Sequence, residues 1–196
     1  LCAKECIINN SSDFSPICQP GSPHIIHEFS SILSNCFPSK EEIKNKTVHD
    51  ILEETSIKVN IKPLKELLGE LKLVKLNTLA SQKDKLCFWL NCFNYLSLFA
   101  IFYNKWYIMN QKSWKNFFNN VKYNIGGNNY SFNDIQYILY KKVLFFSAVS
   151  YKPKDFVKKC VVDISKEKDI YGKYKSITPF VLYLPIKELF CPVIYE

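Results

Sequence analysis

Asn91 and Asn94 have the clearest chemical potential in this chain, and both sit inside an uncharged stretch, Leu86 to Tyr103, LCFWLNCFNYLSLFAIFY. Three positions apart on a helix, they project from neighbouring points of one face. A buried amide offers two donors and an acceptor, and each must bond to something fixed. Two roles fit that demand. The pair locks the helix to a loop, for which the backbone N–H groups of Gly126 and Gly127 are the candidate partner, or it orients a substrate or a nucleophile. Trp89, in the same stretch, brings a large apolar body with one N–H that needs an acceptor. Cys87 and Cys92 also lie there, where free cysteine usually behaves as a small hydrophobe.

Other chemistries are poorly supported. Asp84 and Asp134 each follow a serine by three residues, Ser81 and Ser131, which is the spacing of a helix-capping box rather than of paired catalytic carboxylates. Gly126-Gly127 lacks the flanking pattern of a phosphate loop. Cys2, Cys6, Cys18, His24, His27 and Cys36 cluster near the start, and cysteine at i, i+4 with histidine at i, i+3 could collect zinc. No CxxC knuckle accompanies them, so no metal and no cofactor are expected. All 26 basic residues are lysine, against 18 acids, for a net charge of +8. Scattered lysines without a guanidinium fork cannot grip guanine edges or phosphates bidentately. Sequence-specific nucleic-acid binding is therefore not expected, and the charge reads as a solvated surface.

These residues need a scaffold, and 196 residues, 47% of them apolar, are enough for one domain with a sizeable core. Residues 1–40 lack periodicity and read as an irregular arm on a single α+β domain over 41–196. Helical patterns fall around Lys40–Glu54 and Pro63–Leu79, and Ser81 caps the long apolar helix. Trp106 to Phe118 reads as a half-exposed helix. Val121–Ile125 and Tyr130–Phe132 alternate around Gly126–Asn129, a hairpin signal. Ser131 and Asp134 then open a short helix. A strand is expected over Val143–Tyr151, a helix over Asp155–Lys168 and a last strand over Phe180–Leu184. The fold expected is a helical N-terminal half, a buried central helix and a small, mainly antiparallel sheet. The 86–103 stretch is near the lower length for a membrane span, but Asn91 and Asn94 at its middle would be costly in hydrocarbon; it reads as a core helix, with no transmembrane span. The eight cysteines read as mostly reduced thiols. With no signal peptide, a leading Leu and the single Met109, the chain reads as part of a longer intracellular, cytoplasmic polypeptide, in which the sequons at Asn9, Asn10, Asn45 and Asn129 carry no weight.

Two segments resemble a known family. DKLCFWLNCFNYLSLFA over 84–100 is similar to E-K-L-A-F-W-I-N-x-Y-N-A-L, and YNIGGNNYSFNDIQYIL over 123–139 to Y-N-I-G-G-x-x-[FY]-S-x-x-D-I-E-x-x-I-L. Together they resemble the domain-of-unknown-function-547 family of bacteria and of plant leucine-zipper proteins, over about 63–153. The matching positions are Lys85, Trp89, Asn91, Asn94, Asn124, Gly126, Gly127, Ser131 and Asp134. The resemblance implies a core similar to papain-like and transglutaminase-like folds, where a cysteine on a central helix is activated by a histidine on a later strand. Cys87, beside Trp89, stands roughly where that nucleophile would.

The departures weigh against catalysis. Many family members carry a His-Phe-Ala strand, and many bacterial ones a Cys-Pro after it. The matching stretch here, 143–153, holds neither histidine nor cysteine, and only Pro153 remains of the pattern. Gln136 replaces the usual Glu. The last histidine of the chain is His49, so His24, His27 or His49 would have to fold back from the N-terminal side to serve Cys87. A thiol without such a base forms little thiolate at neutral pH. The function expected is a non-catalytic protein–protein interaction or scaffold domain, a degenerate, pseudoenzyme-like member of its family. Its contact surface is expected on Lys105–Lys122, with Trp106, Tyr107, Trp114 and Phe117 as aromatic anchors. The alternative is a cysteine-dependent hydrolase or acyltransferase using Cys87, with Asn91 and Asn94 as orienting groups.

Overall fold

The computed structural model describes residues 6–10, 12–14, 23–36, 38, 42, 46, 48–103, 117–141 and 151–163. Their central feature is a continuous helical run from α4 (Gln82–Asn91) through a π turn (Cys92–Leu96) into α5 (Ser97–Tyr103). Ser81 starts it as expected: its hydroxyl accepts from the Asp84 N–H at 3.0 Å, and the Asp84 carboxylate accepts from the Ser81 N–H at 3.1 Å. Every residue from Leu86 to Ala100 is buried, so the stretch has no polar face because it has no solvent-facing side. No helix among the described residues is long and apolar enough to cross a membrane.

Among the described residues, three α-helices of defined extent precede this run: α1 (Ile25–Ser34), α2 (Val48–Lys58) and α3 (Ile61–Leu71). The first corrects the expectation of an irregular arm. Ile25, Ile26, Phe29 and Leu33 recur at helical spacing, all are buried, and α1 packs against α3 and α4. The second stops at Lys58 and the third at Leu71, well short of Leu79. Two N–H groups, of Val74 and of Gly126, meet the Leu71 carbonyl (3.4 and 3.0 Å), so the chain turns there into the short 3₁₀ turn Leu76–Thr78.

The sheet is built on the hairpin of β2 (Val121–Ile125) and β3 (Asn128–Ser131), antiparallel in the register Lys122↔Ser131 to Ile125↔Asn128. Gly126 and Gly127 both adopt positive φ at its tip, as the expected turn requires. A two-residue strand, β1 (Cys6–Ile7), adds in parallel to the other edge of β2, giving the order β1-β2-β3. The sheet is therefore mixed but mainly antiparallel, and the class is α+β. After β3, α6 (Phe132–Tyr140) begins at a second capping box, Ser131 with Asp134. The last described helix, α7 (Asp155–Lys159), is shorter than the pattern over 155–168; residues beyond 163 lie outside the described set, as do the strand expected over Phe180–Leu184 and all of the one expected over Val143–Tyr151 except Tyr151.

An aromatic cluster holds sheet and helices together. Phe132 stacks on Phe117 at 5.0 Å between ring centroids and meets Phe93, Phe118 and Tyr123 edge-on. Trp89 lies against Tyr130, and Tyr123 donates to the Leu96 carbonyl of the π turn at 2.8 Å. Such contacts add to the area the rings bury.

Candidate functional site

Asp84, Cys87, Phe88 and Asn91 follow one another at i, i+3, i+4 and i+7 along α4, so they share one face. That face borders a cavity of about 610 Å³, closed on the far side by Pro23, His24, Ile26 and His27 at the start of α1 and by Thr78 and Leu79 after the 3₁₀ turn. Cys87 keeps 8% of its surface exposed and Asn91 2%, His27 is half-buried, and His24 is exposed. Hydrogen bonds from the Ser81 side chain and backbone hold the Asp84 carboxyl below its usual range, with the charges of Lys83 and His24 acting the same way. The cavity thus brings a thiol, an amide, a carboxylate and two imidazoles to one space. His24 and His27 do fold back from the N-terminal side, toward the thiol that the order of the chain had separated from them. The helical spacing of Ile25, Ile26, Phe29 and Leu33 is the signal that could have found the helix, but the packing that brings His24 and His27 to Cys87 leaves none. No group of three or more His, Cys, Asp or Glu residues among the described residues could hold a metal ion.

Asn94 parts company with Asn91. It is buried at 5% exposure within the π turn and does not line the cavity. The Gly126-Gly127 loop is not the partner of either asparagine. Gly126 donates its N–H to the Leu71 carbonyl at 3.0 Å, and Gly127 donates to the Asn124 side-chain oxygen at 3.1 Å. The loop instead borders a second hollow of about 700 Å³, with Lys72, Leu73, Lys75, Asn77, Phe156 and Lys159.

The remaining motif positions hold the fold together. The Asp134 carboxylate accepts from the Ser131 N–H, the Ser131 hydroxyl and the Tyr151 hydroxyl. Asn124 is clamped by Asn9, whose side chain accepts from the Asn124 N–H at 2.7 Å and donates to its carbonyl at 2.9 Å. Trp89 is buried; burial raises the Cys160 thiol, against the lowering effect of its hydrogen bond with Tyr130 and of the charge of half-buried Lys85. Gln136, where the resemblance implies Glu, is fully buried, a place where a carboxylate would lose its hydration. The five described cysteines, Cys6, Cys36, Cys87, Cys92 and Cys160, are free thiols.

The expected contact surface is corrected in one residue. Phe117 is fully buried against Phe132, because the core, not solvent, meets its ring. Trp106, Tyr107 and Trp114 lie outside the described residues. No curated protein and no solved structure matches the chain. A family model does, over residues 76–175, from the 3₁₀ turn through both motifs and past α7. With the two motifs in order and half of the chain matched, the chain belongs to the family described as protein of unknown function, DUF547.

Proposed function

We propose that this domain is a non-catalytic protein–protein interaction module, a degenerate member of its family that keeps the family's architecture without a reaction centre in the shared motif. The observation that carries this reading is where the motif's polar groups go. Asn124, Gly126, Gly127, Ser131 and Asp134 direct theirs to capping, to the hairpin turn and to the clamp on Asn9. Of the nine motif residues only Asn91 lines the cavity that holds Cys87, and Cys87 itself stands where the family pattern has alanine.

A second reading has one specific observation in its favour: His24 and His27 share the cavity of Cys87 and Asn91. In that reading Cys87 is the nucleophile of an acyl transfer or hydrolysis, an imidazole takes its proton, and Asn91 orients the substrate. Iodoacetamide separates the two. For the interaction module, native Cys87 should be alkylated at neutral pH more slowly than the same thiol in urea, since burial withholds it. Alkylation faster than in urea, slowed by His24→Ala or His27→Ala, would replace the module with the thiol enzyme. The module reading further expects a stoichiometric protein partner that co-purifies with the native chain and is lost on Trp114→Ala.

A further inference from the structure

We infer that the hollow beside the Gly126-Gly127 turn is a docking groove for an acidic peptide segment of a protein partner; the inference rests on the interaction-module reading and names the chemistry of what binds. Two stretches far apart in the chain converge there. Residues 72–77 leave the end of α3 with Lys72 and Lys75, and α7 delivers Lys159 at its last turn. Among the described residues no acidic side chain lines the groove. Asp155, on the same helix as Lys159, is engaged by Lys158 at 3.0 Å, and Lys72 already donates one hydrogen bond to the Phe14 carbonyl at 2.8 Å. The lysines therefore form a local positive field with no counter-charge among the described lining residues.

The rest of the lining selects the kind of anion. Leu73 is 43% exposed, Phe156 is half-buried, and Asn77 and Asn128 supply amides. A ligand that fits carries carboxylates beside apolar side chains and has a backbone for the amides, which describes an extended acidic segment. Lysine ammonium groups are point charges without the planar fork that grips phosphate at two oxygens, and the chain contains no arginine to provide one. Nothing in the lining marks a dedicated phosphate clamp.

The test is fluorescence anisotropy on the full chain, with a fluorescein-labelled peptide of alternating Glu, Asp and Leu as probe. The expected result is saturable binding that weakens as salt rises. Binding should fall about tenfold in the double variant Lys75→Gln, Lys159→Gln, about what two partly screened ion pairs contribute, and stay unchanged in Lys83→Gln, an exposed lysine outside the groove. Both substituted groove lysines are exposed, and unchanged circular dichroism checks that the variants fold. No binding, or an equal loss in Lys83→Gln, overturns the groove. So does inorganic phosphate or a short RNA displacing the peptide at lower concentration than the unlabelled peptide itself. If the double variant keeps a co-purifying partner and the chain binds no acidic peptide, the groove falls while the module stands. Activated Cys87 would sink the module and leave the peptide measurement as it is.

Discussion

Asn9 makes three hydrogen bonds from a side chain with no exposed surface, to the Leu68 carbonyl at 2.9 Å and to both backbone groups of Asn124. It continues what β1 begins, standing in for a strand residue against β2 where the chain itself has turned away. Asn9→Ala leaves a backbone N–H and two carbonyls short of partners, and the expected loss of stability is about 2–4 kcal/mol, read from urea midpoints. Asn9→Asp should not rescue it, because the carboxylate can accept from Asn124 but would set its second oxygen against two carbonyls. In the sequence Asn9 stands out only as a sequon. The reason is general: a side chain that mimics backbone pairing across 115 positions leaves no local pattern. The same holds for the candidate site. Helical spacing puts Asp84, Cys87 and Asn91 on one face, although the expectation pairs Asn91 with Asn94 and gives Asp84 only a capping role; His24 and His27 join them through the packing of α1 on α4.

Local chemistry explains which elements could be read in advance. Both capping boxes and the hairpin turn are set by residues within a few positions of one another, so Ser81, Asp84, Ser131, Asp134 and the two glycines announce them. The two-residue β1 and the π turn are products of tertiary contact and carry no such signal. Within the legible turn, the two glycines are not equivalent. A Cβ on Gly126, at φ +55°, would stand 2.6 Å from the Val74 carbonyl oxygen, a backbone atom that cannot swing aside. A Cβ on Gly127, at φ +83°, meets nothing within 4 Å. Gly127→Ala should therefore show only the backbone penalty of the left-handed region, about 1–2 kcal/mol. Gly126→Ala adds a clash and strains the hydrogen bond to Leu71, so its loss should exceed that of Gly127→Ala by at least about 1 kcal/mol. Equal melting temperatures for the two variants would show that residues 71–76 yield freely, and that the turn does not fix the end of α3.

At the scale of the whole molecule, the core is rich in groups that must stay protonated. Burial raises the Tyr123 hydroxyl and the Cys92 thiol well above their ordinary values, and raises Tyr130, which also bonds Cys160, and Tyr151, which bonds Asp134. A tyrosine whose folded pKa is raised binds its proton where the unfolded chain has released it, so folding loses stability as pH climbs past the unfolded value, about 10 for tyrosine and about 8.5 for cysteine. Below those values both states are protonated and the term vanishes. Stability should accordingly be level from neutral pH to about pH 8 and then fall, with a slope approaching about 1.4 kcal/mol per pH unit for each such group. On the acid side the loss should be small, because Asp84 and Asp155, held low by Ser81 and by Lys158, are both solvent-exposed. Tyr123→Phe isolates one term of the alkaline limb. It removes the hydroxyl that donates to Leu96 and so lowers stability at neutral pH by about 1 kcal/mol, yet it also removes a titrating group. The variant's urea midpoint should therefore start below the parent's and converge on it as pH rises past about 10. Parallel curves over that range would mean that the Tyr123 hydroxyl reaches water in the folded chain, and that the cluster around Phe132 is looser than its ring contacts imply.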